Sequence, residues 1–151
     1  MVKKMMCDFE IEGKPVGKGR PRFRRMGNFV QTYTPTTTVD YEKLVRLRFQ
    51  NAGGQITDKP VRVGITAFFA PPKSTKKKQK AEMLANLVLP TKKPDVDNIA
   101  KIILDALNKI AYVDDSQVIE LSVIKRYAAE AKVIVHIEEI DTRGDIDALA
   151  S

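Results

Sequence analysis

The sequence predicts an α+β fold, with helices packed mainly on one face of a mixed β-sheet in a single small domain. Its length of 151 residues allows one domain with a substantial hydrophobic core and leaves too little chain for two. Several segments alternate apolar and polar residues with a period of two, as half-buried strands do, and they are interspersed with segments of helical period. No internal repeat or low-complexity linker divides the chain, so these elements should share one core.

The elements of the first half follow from local patterns. Residues 7–12 alternate apolar and acidic side chains and are predicted to form a strand. Three glycines and two prolines within residues 13–22 exclude a helix and predict a flexible basic loop. Residues 28–34 have the composition of a short strand. A helix is predicted over residues 38–51, because two consecutive glycines at positions 53 and 54 end the helical pattern.

The second half carries the more regular patterns. Residues 61–70 place apolar side chains at every second position and form the clearest predicted strand, which two prolines end. A short helix is predicted over residues 76–87. A longer amphipathic helix is predicted within residues 92–110.

Two strands are predicted to complete the domain, over residues 117–127 and 132–140. A short turn separates them, which favours an antiparallel hairpin. The domain would then span residues 1–140, and residues 141–151 would form an acidic, frayed tail. No apolar run is long enough to cross a bilayer and no signal-peptide pattern begins the chain, so we expect a cytoplasmic protein with no membrane partner.

The composition restricts the chemistry that the chain can perform. It contains one cysteine, Cys7, and one histidine, His136, which excludes an intramolecular disulfide and a zinc site built from Cys and His. His136 lies in a segment with strand alternation, where a structural role is expected. Any catalysis must therefore use carboxylates, lysine, arginine or hydroxyl groups, with or without a hard metal ion.

The net charge of +7 and the pI of about 9.5 suggest a polyanionic partner, because lysines and arginines that neutralise phosphates release bound counterions. The positive charge is concentrated in two clusters, in residues 14–25 and residues 73–80. The same charge is also expected of a protein whose positive charge only maintains its solubility.

The helix within residues 92–110 carries the most informative pattern. Six apolar residues fall on one stripe, as in a helix that faces a core: Ile99, Ile102, Ile103, Ala106, Leu107 and Ile110. Four polar residues share the opposite face: Asp97, Lys101, Asp105 and Asn108. Asp95 lies at or just before the helix start, where its carboxylate could cap free N–H groups.

Two interpretations of these charges are open at this point. They could be ordinary surface ion pairs between residues four positions apart, each of which stabilises a helix by about 0.2–0.5 kcal/mol. Alternatively, the carboxylates at the helix start and a second pair, Asp114 and Asp115, could bind Mg²⁺, because clustered carboxylates repel one another and Mg²⁺ prefers oxygen ligands. The second pair could come near the helix start only if the chain folds back.

The pattern D-x-D-N-x-x-K-x-x-x-D-A-L at residues 95–107, followed by D-D-x-Q-V at residues 114–118, resembles the RusA family of Holliday-junction resolvases. The G-K-G-R-P-R of residues 17–22 and the Y-T-P of residues 33–35 look like elements of its phage and prophage members. The resemblance extends from about residue 9 to residue 135 and is most specific in the C-terminal half.

The resemblance implies a small homodimeric α+β nuclease that makes paired nicks in four-way DNA junctions, with Mg²⁺ as cofactor and Mn²⁺ as a possible substitute. Carried over by position, the metal-binding carboxylates are Asp95, Asp97 and Asp115, with Asp114 as the substitute for Asp115. Lys101 completes the catalytic set, and Asp105 is expected to be structural.

The basic clusters fit the same picture, since contacts to phosphates position DNA without reading its bases. The residues predicted to contact DNA are Lys18, Arg20, Arg22, Arg24, Arg25, Lys76, Lys77 and Lys78. Phe23 and Phe29 are expected to pack in the core, with insertion at the DNA crossover as the alternative. Two other functions stay open: a non-catalytic nucleic-acid-binding module of phage origin, and a structural protein whose charge maintains solubility.

Overall fold

Four strands form one sheet and two further strands form a separate hairpin. The computed structural model describes residues 4–141, so the predicted tail lies outside the described residues except for Asp141. The elements, in chain order, are β1 (Met6–Glu12), β2 (Arg22–Met26), β3 (Phe29–Tyr33), α1 (Thr36–Asn51), β4 (Val61–Phe69), α2 (Lys77–Leu84), α3 (Val96–Leu107), β5 (Val118–Tyr127) and β6 (Lys132–Glu139).

The main sheet is mixed and has the strand order β1-β6-β4-β5. β4 runs parallel to β5, whereas β6 is antiparallel to both of its neighbours, β1 and β4. Every second residue of β4, from Val61 to Phe69, is buried, because β4 has a neighbour on each side and helices above one face. The predicted α+β class with a mixed sheet is therefore confirmed.

The predicted antiparallel hairpin of the last two strands is wrong. β6 does not pair with β5 but lies between β1 and β4, and the short connection from β5 crosses the end of β4. A hydrogen bond holds this crossing, since the Ala128 N–H donates to the Phe69 carbonyl at 2.9 Å. The strands themselves form near the predicted positions, but a period of two does not reveal which strand is the neighbour.

The hydrophobic core lies between one face of the sheet and helices α1 and α3. α3 buries the predicted apolar stripe up to Leu107, where the helix ends; Ile110 lies beyond that end and is only partly buried. α1 contributes Val45 and Phe49, and the Phe49 ring packs edge-to-face on Phe9 of β1 with their centroids 5.7 Å apart. The longest described helix has 16 residues, and none combines the length with the apolar character that crossing a bilayer requires.

His136 lies on the other face of the sheet, in β6, where its Nδ1 is 2.6 Å from an Asp8 carboxylate oxygen and its Nε2 is 3.5 Å from Glu138. Partial burial alone would lower the pKa of His136, but the hydrogen bond and charge of Asp8, aided by Glu138, outweigh it and the pKa is raised. The expected placement of His136 in a strand is confirmed.

The hairpin of β2 and β3 departs most from expectation. The basic loop was expected to be irregular through residue 22 and only β3 was expected as a strand, whereas β2 begins at Arg22 and pairs with β3. All ten strand residues are exposed. The expectation that Phe23 and Phe29 pack in the core is wrong, because their exposed fractions are 73% and 78%.

Candidate active site

The first two predicted catalytic carboxylates flank the start of α3. Asp95 is the N-cap residue, with an extended backbone, and its carbonyl accepts a hydrogen bond from the Ile99 N–H at 3.0 Å. Its carboxylate makes no capping hydrogen bond. Asp97 lies in the first turn and is exposed, and the positive end of the helix dipole favours both negative charges. Both carboxylates are therefore available to a ligand.

Lys101 lies one turn further along the same helix. Its side chain is 61% exposed, and its ammonium nitrogen is 3.9 Å from a carboxylate oxygen of Asp105, whereas no ion pair joins it to Asp97 in the described chain. At such a distance and exposure the pair with Asp105 is weak. One of the surface pairs that the first interpretation expected is therefore present, but it leaves the Lys101 ammonium largely exposed.

Asp105 is the centre of a small ionic network. The Lys18 ammonium lies 3.1 Å from Asp105 and 3.1 Å from Glu42 of α1, and it is much less exposed than Lys101. Partial burial alone would lower the pKa of Lys18, but hydrogen bonds to Glu42 and Asp105 outweigh it and the pKa is raised. Lys18, a predicted DNA-contacting residue, thus joins the basic loop to α1 and α3 in the free protein.

The backbone of the basic loop is also fastened to these two helices. The Lys18 N–H donates to the Asn98 carbonyl at 3.0 Å, and the Gly19 N–H donates to the Thr38 hydroxyl at 3.1 Å. The docked loop and α3 enclose a cavity of about 460 Å³. Its lining residues are Lys18, Gly19, Arg20, Pro21, Thr34, Asn98, Lys101 and Asp105. The predicted DNA-contacting loop and the predicted catalytic lysine therefore share one cavity.

Gly17 makes this docking possible, which gives a testable prediction. A Cβ at position 17 would lie 2.9 Å from the Pro94 Cβ and 3.1 Å from the Asn98 Cβ, so Gly17→Ala must push the loop away from α3. Such overpacking costs about 1–3 kcal/mol. We expect a lower melting temperature in thermal unfolding. Gly64→Ala is the matched control, since its Cβ would meet only the His136 Cβ at 4.0 Å. Equal behaviour of the two variants would contradict the proposed docking.

The second carboxylate pair lies on a turn that folds back after α3. The Tyr112 hydroxyl donates to the Leu104 carbonyl at 2.5 Å, which holds this segment against the helix. Burial raises the pKa of Tyr112, and the charges of Asp115, Asp105 and Asp114 raise it further, in that order. The segment therefore lies against the C-terminal half of α3, where Asp115 and Asp105 both act on the Tyr112 hydroxyl.

Asp114 and Asp115 play different parts in this turn. The Asp114 carboxylate accepts a hydrogen bond from the Ser116 N–H at 3.0 Å, and the Gln117 side chain accepts one from the Asp114 N–H at 2.9 Å, which forms a capping box. The hydrogen bonds from Ser116 hold the pKa of Asp114 below its usual value. Asp115 begins the short 3₁₀ helix and is exposed. Its carboxylate is therefore the freer ligand of the two.

The predicted metal ligands are not assembled in advance. Residues 4–141 contain no group of three or more Asp, Glu, His or Cys side chains close enough to hold a metal ion. The chemistry of the donors fits Mg²⁺, since Asp95, Asp97 and Asp115 are exposed oxygen ligands. Mg²⁺ commonly takes only one or two carboxylates and completes its shell with water and substrate phosphate.

The other predicted DNA-contacting residues are exposed. Arg20 lies on the docked loop, and the hairpin and the start of α2 carry the rest: Arg22, Arg24 and Arg25 in β2, Lys76 at the N-cap of α2, and Lys77 and Lys78 in its first turn. The sequence did not predict that Glu42 would pair with Lys18, because a contact between residues 24 positions apart leaves no periodic signal.

Comparison with known proteins agrees with the motif. Residues 12–138 match the family model of endodeoxyribonuclease RusA. The matched residues include the basic loop, α3 and the folded-back turn. The chain belongs to the RusA family of endodeoxyribonucleases. It is also similar to the uncharacterized protein YqaN of Bacillus subtilis (strain 168), with 39% identity over 137 residues, 87% of this chain and 95% of YqaN. All four predicted catalytic residues of this RusA-family chain lie within the matched region.

Proposed function

We propose that this protein is a metal-dependent endonuclease that resolves Holliday junctions by paired nicks during DNA recombination and repair. The observation that carries the proposal is the juxtaposition of an exposed, loosely paired lysine with a docked basic loop. Lys101 and Arg20 line one cavity, and Asp97 precedes Lys101 by one helical turn. A phosphate in this cavity would meet positive charge from two elements at once.

The carboxylates have a metal-binding part in this proposal. Asp95, Asp97 and Asp115 would hold Mg²⁺, or Mn²⁺ in its place, with the DNA phosphate completing the coordination. The bound ion would supply Lewis-acid charge and a water of lowered pKa. Asp114 is kept as the substitute for Asp115, although its capping bonds make it the weaker candidate.

Lys101 would act on the scissile phosphate directly. Its exposed ammonium can donate hydrogen bonds to a non-bridging oxygen and stabilise the negative charge that develops there. Asp105 holds it only loosely, at 3.9 Å, so the ammonium can move to the substrate without breaking a buried pair. Asp105 itself is a positioning residue, since it ties Lys18 and the basic loop to the catalytic helix.

The arginines of the loop and hairpin, with the lysines of α2, would contact phosphates on the arms of the junction. Lys18, Arg20, Arg22, Arg24 and Arg25 lie on a continuous segment that begins beside Lys101. Such contacts position the DNA and make its affinity depend on salt.

Paired nicks in opposed strands require two sites, which a homodimer with two-fold symmetry would supply. β5 is an edge strand of the sheet and carries three exposed apolar residues, Ile119, Leu121 and Ile124, which supports a contact between copies there. An enzyme that acts on recombining DNA must share its compartment, so we place it in the cytoplasm.

A non-catalytic DNA-binding module is the second candidate function. The observation that favours it is that the described residues contain no assembled metal-binding group. A binding module would retain junction affinity and show no cleavage under any metal condition.

Cleavage of a synthetic four-way junction separates the two candidates. Purified protein is incubated with the junction or with a linear duplex of one arm's sequence, in Mg²⁺ or in EDTA. We expect nicks in the junction only, and only with Mg²⁺. Binding without nicks in both Mg²⁺ and Mn²⁺ would support the non-catalytic module, and equal cutting of the duplex would contradict junction specificity.

A further inference from the structure

The β2–β3 hairpin exposes several large apolar side chains that no other described part of the chain covers. All ten strand residues are exposed, and they include large apolar side chains: Phe23, Met26, Phe29, Val30 and Tyr33. A two-stranded hairpin is only marginally stable by itself in water, and contiguous exposed apolar surface usually marks an interaction site. We therefore expect the hairpin to bind a partner.

Three of the five apolar residues, Met26, Phe29 and Val30, lie at the tip of the hairpin, and Phe23 and Tyr33 lie at its base. Met26 and Phe29 form the last cross-strand pair, so their side chains lie on the same face, and they flank a two-residue turn that Gly27 enters with a φ of +60°. Their exposed fractions are 51% and 78%. The outermost feature of the hairpin is thus a methionine beside a phenylalanine.

The hairpin and the loop that precedes it form a strongly basic ribbon. Residues 13–39 contain no acidic residue and carry Lys14, Lys18, Arg20, Arg22, Arg24 and Arg25. The Arg24 guanidinium stays on the ribbon, where it donates to the Gln31 side chain at 3.1 Å and stacks on Tyr33 with its carbon 5.9 Å from the ring centroid. This charge pattern complements a polyanion and disfavours a second copy of the same surface.

The hairpin is also joined to the catalytic cavity. Its strands leave directly from Pro21 and Thr34, which line that cavity together with Lys101. A polyanion held along the ribbon would therefore continue into the candidate active site. DNA meets these requirements, because a two-stranded ribbon fits the major groove and methionine and phenylalanine are among the side chains that proteins insert between base steps.

We propose that the β2–β3 hairpin is a wedge that enters the branch point of the DNA, where Phe29, supported by Met26, stacks on the bases. This inference rests on the proposed function, since it takes the four-way junction as substrate. Base pairs at a branch point have lost a stacking neighbour, so opening them is less costly than opening a continuous duplex. The aromatic face of Phe29 replaces the lost stacking, and the arginines of the ribbon hold the flanking phosphates.

The test uses a junction that carries 2-aminopurine at the branch point, with EDTA present so that its strands stay intact. The variants are Phe29→Leu, which keeps an apolar side chain without the aromatic face, and Phe29→Trp, which keeps the face. Leu87→Ala, at an equally exposed apolar residue outside the hairpin, is the control. We expect wild-type protein, Phe29→Trp and Leu87→Ala to raise the fluorescence. Phe29→Leu should lose most of the rise and bind the junction about fivefold more weakly or worse, while its affinity for linear duplex is unchanged.

Two results would overturn the wedge alone: unstacking by Phe29→Leu equal to that of wild type, or a change of oligomeric state in Phe29→Leu, which would assign the tip to a second copy. In both cases wild-type cleavage of the junction in Mg²⁺ would leave the proposed function standing. Failure of the proposed function is recognised separately, in wild-type protein that neither cuts the junction nor binds it better than duplex. That result overturns both proposals.

Discussion

Asp97→Asn should reduce the rate of Mg²⁺-dependent junction cleavage by more than about 100-fold, because loss of even an indirect metal partner commonly costs 10- to 100-fold. Asparagine keeps the size and one oxygen but removes the charge that the cation needs. Asp97 is exposed in the first turn of α3 and no described contact depends on it, so the melting temperature should change little. Single-turnover cleavage at saturating protein measures the effect without interference from DNA affinity.

The adjacent aspartates of the folded-back turn provide a matched comparison. Asp115→Asn should match the loss in Asp97→Asn, whereas Asp114→Asn should chiefly weaken the capping box and retain most of the cleavage rate, because its carboxylate is bonded to the Ser116 N–H. The opposite ranking would make Asp114 the ligand. Wild-type rates in both Asp97→Asn and Asp115→Asn would remove these two carboxylates from the mechanism.

Lys101→Ala should nearly abolish cleavage, by about 100-fold or more, while junction affinity is largely preserved. The reason is that the Lys101 ammonium is largely exposed and its residue follows Asp97 by one helical turn, whereas most phosphate contacts are proposed to come from the arginines of the loop and hairpin. Junction Kd from gel shift in EDTA and single-turnover rate in Mg²⁺ separate the two effects.

Lys43→Ala, at an exposed lysine on α1, controls for the general loss of positive charge. Its rate and affinity should both stay near those of wild type. If Lys101→Ala cuts at the rate of Lys43→Ala, then Lys101 has no part in the reaction. If it loses affinity and rate in equal proportion, Lys101 binds DNA rather than assisting the chemistry.

The elements of the fold were predictable where periodicity is strong, and their partners were not. α3 could be predicted because its apolar stripe and its polar face both repeat at helical spacing. β5 and β6 could be predicted as strands, but their separation by β4 depends on a connection that crosses the end of a third strand. β2 was missed because both of its faces are exposed, so no alternation of apolar and polar residues marks it.

The candidate site shows the same division. The motif placed Asp95, Asp97 and Lys101 together because they are neighbours on one short helix segment, and local spacing determines that geometry. The preference for Asp115 over Asp114 gained a reason only from the capping box. The ionic link from Lys18 to Glu42 and Asp105 joins three distant segments, and only the packing of the folded chain brings them together.

Mapping the nicks on a four-way junction is the decisive test of the proposed resolvase activity. Each of the four strands is labelled in turn, and the products in Mg²⁺ are sized to the nucleotide. The proposed resolvase should cut two strands of like polarity at symmetric positions beside the branch point, and Asp97→Asn should leave all four strands intact. Cuts scattered along the arms, or the same cuts from Asp97→Asn, would contradict the proposed metal-dependent resolvase activity.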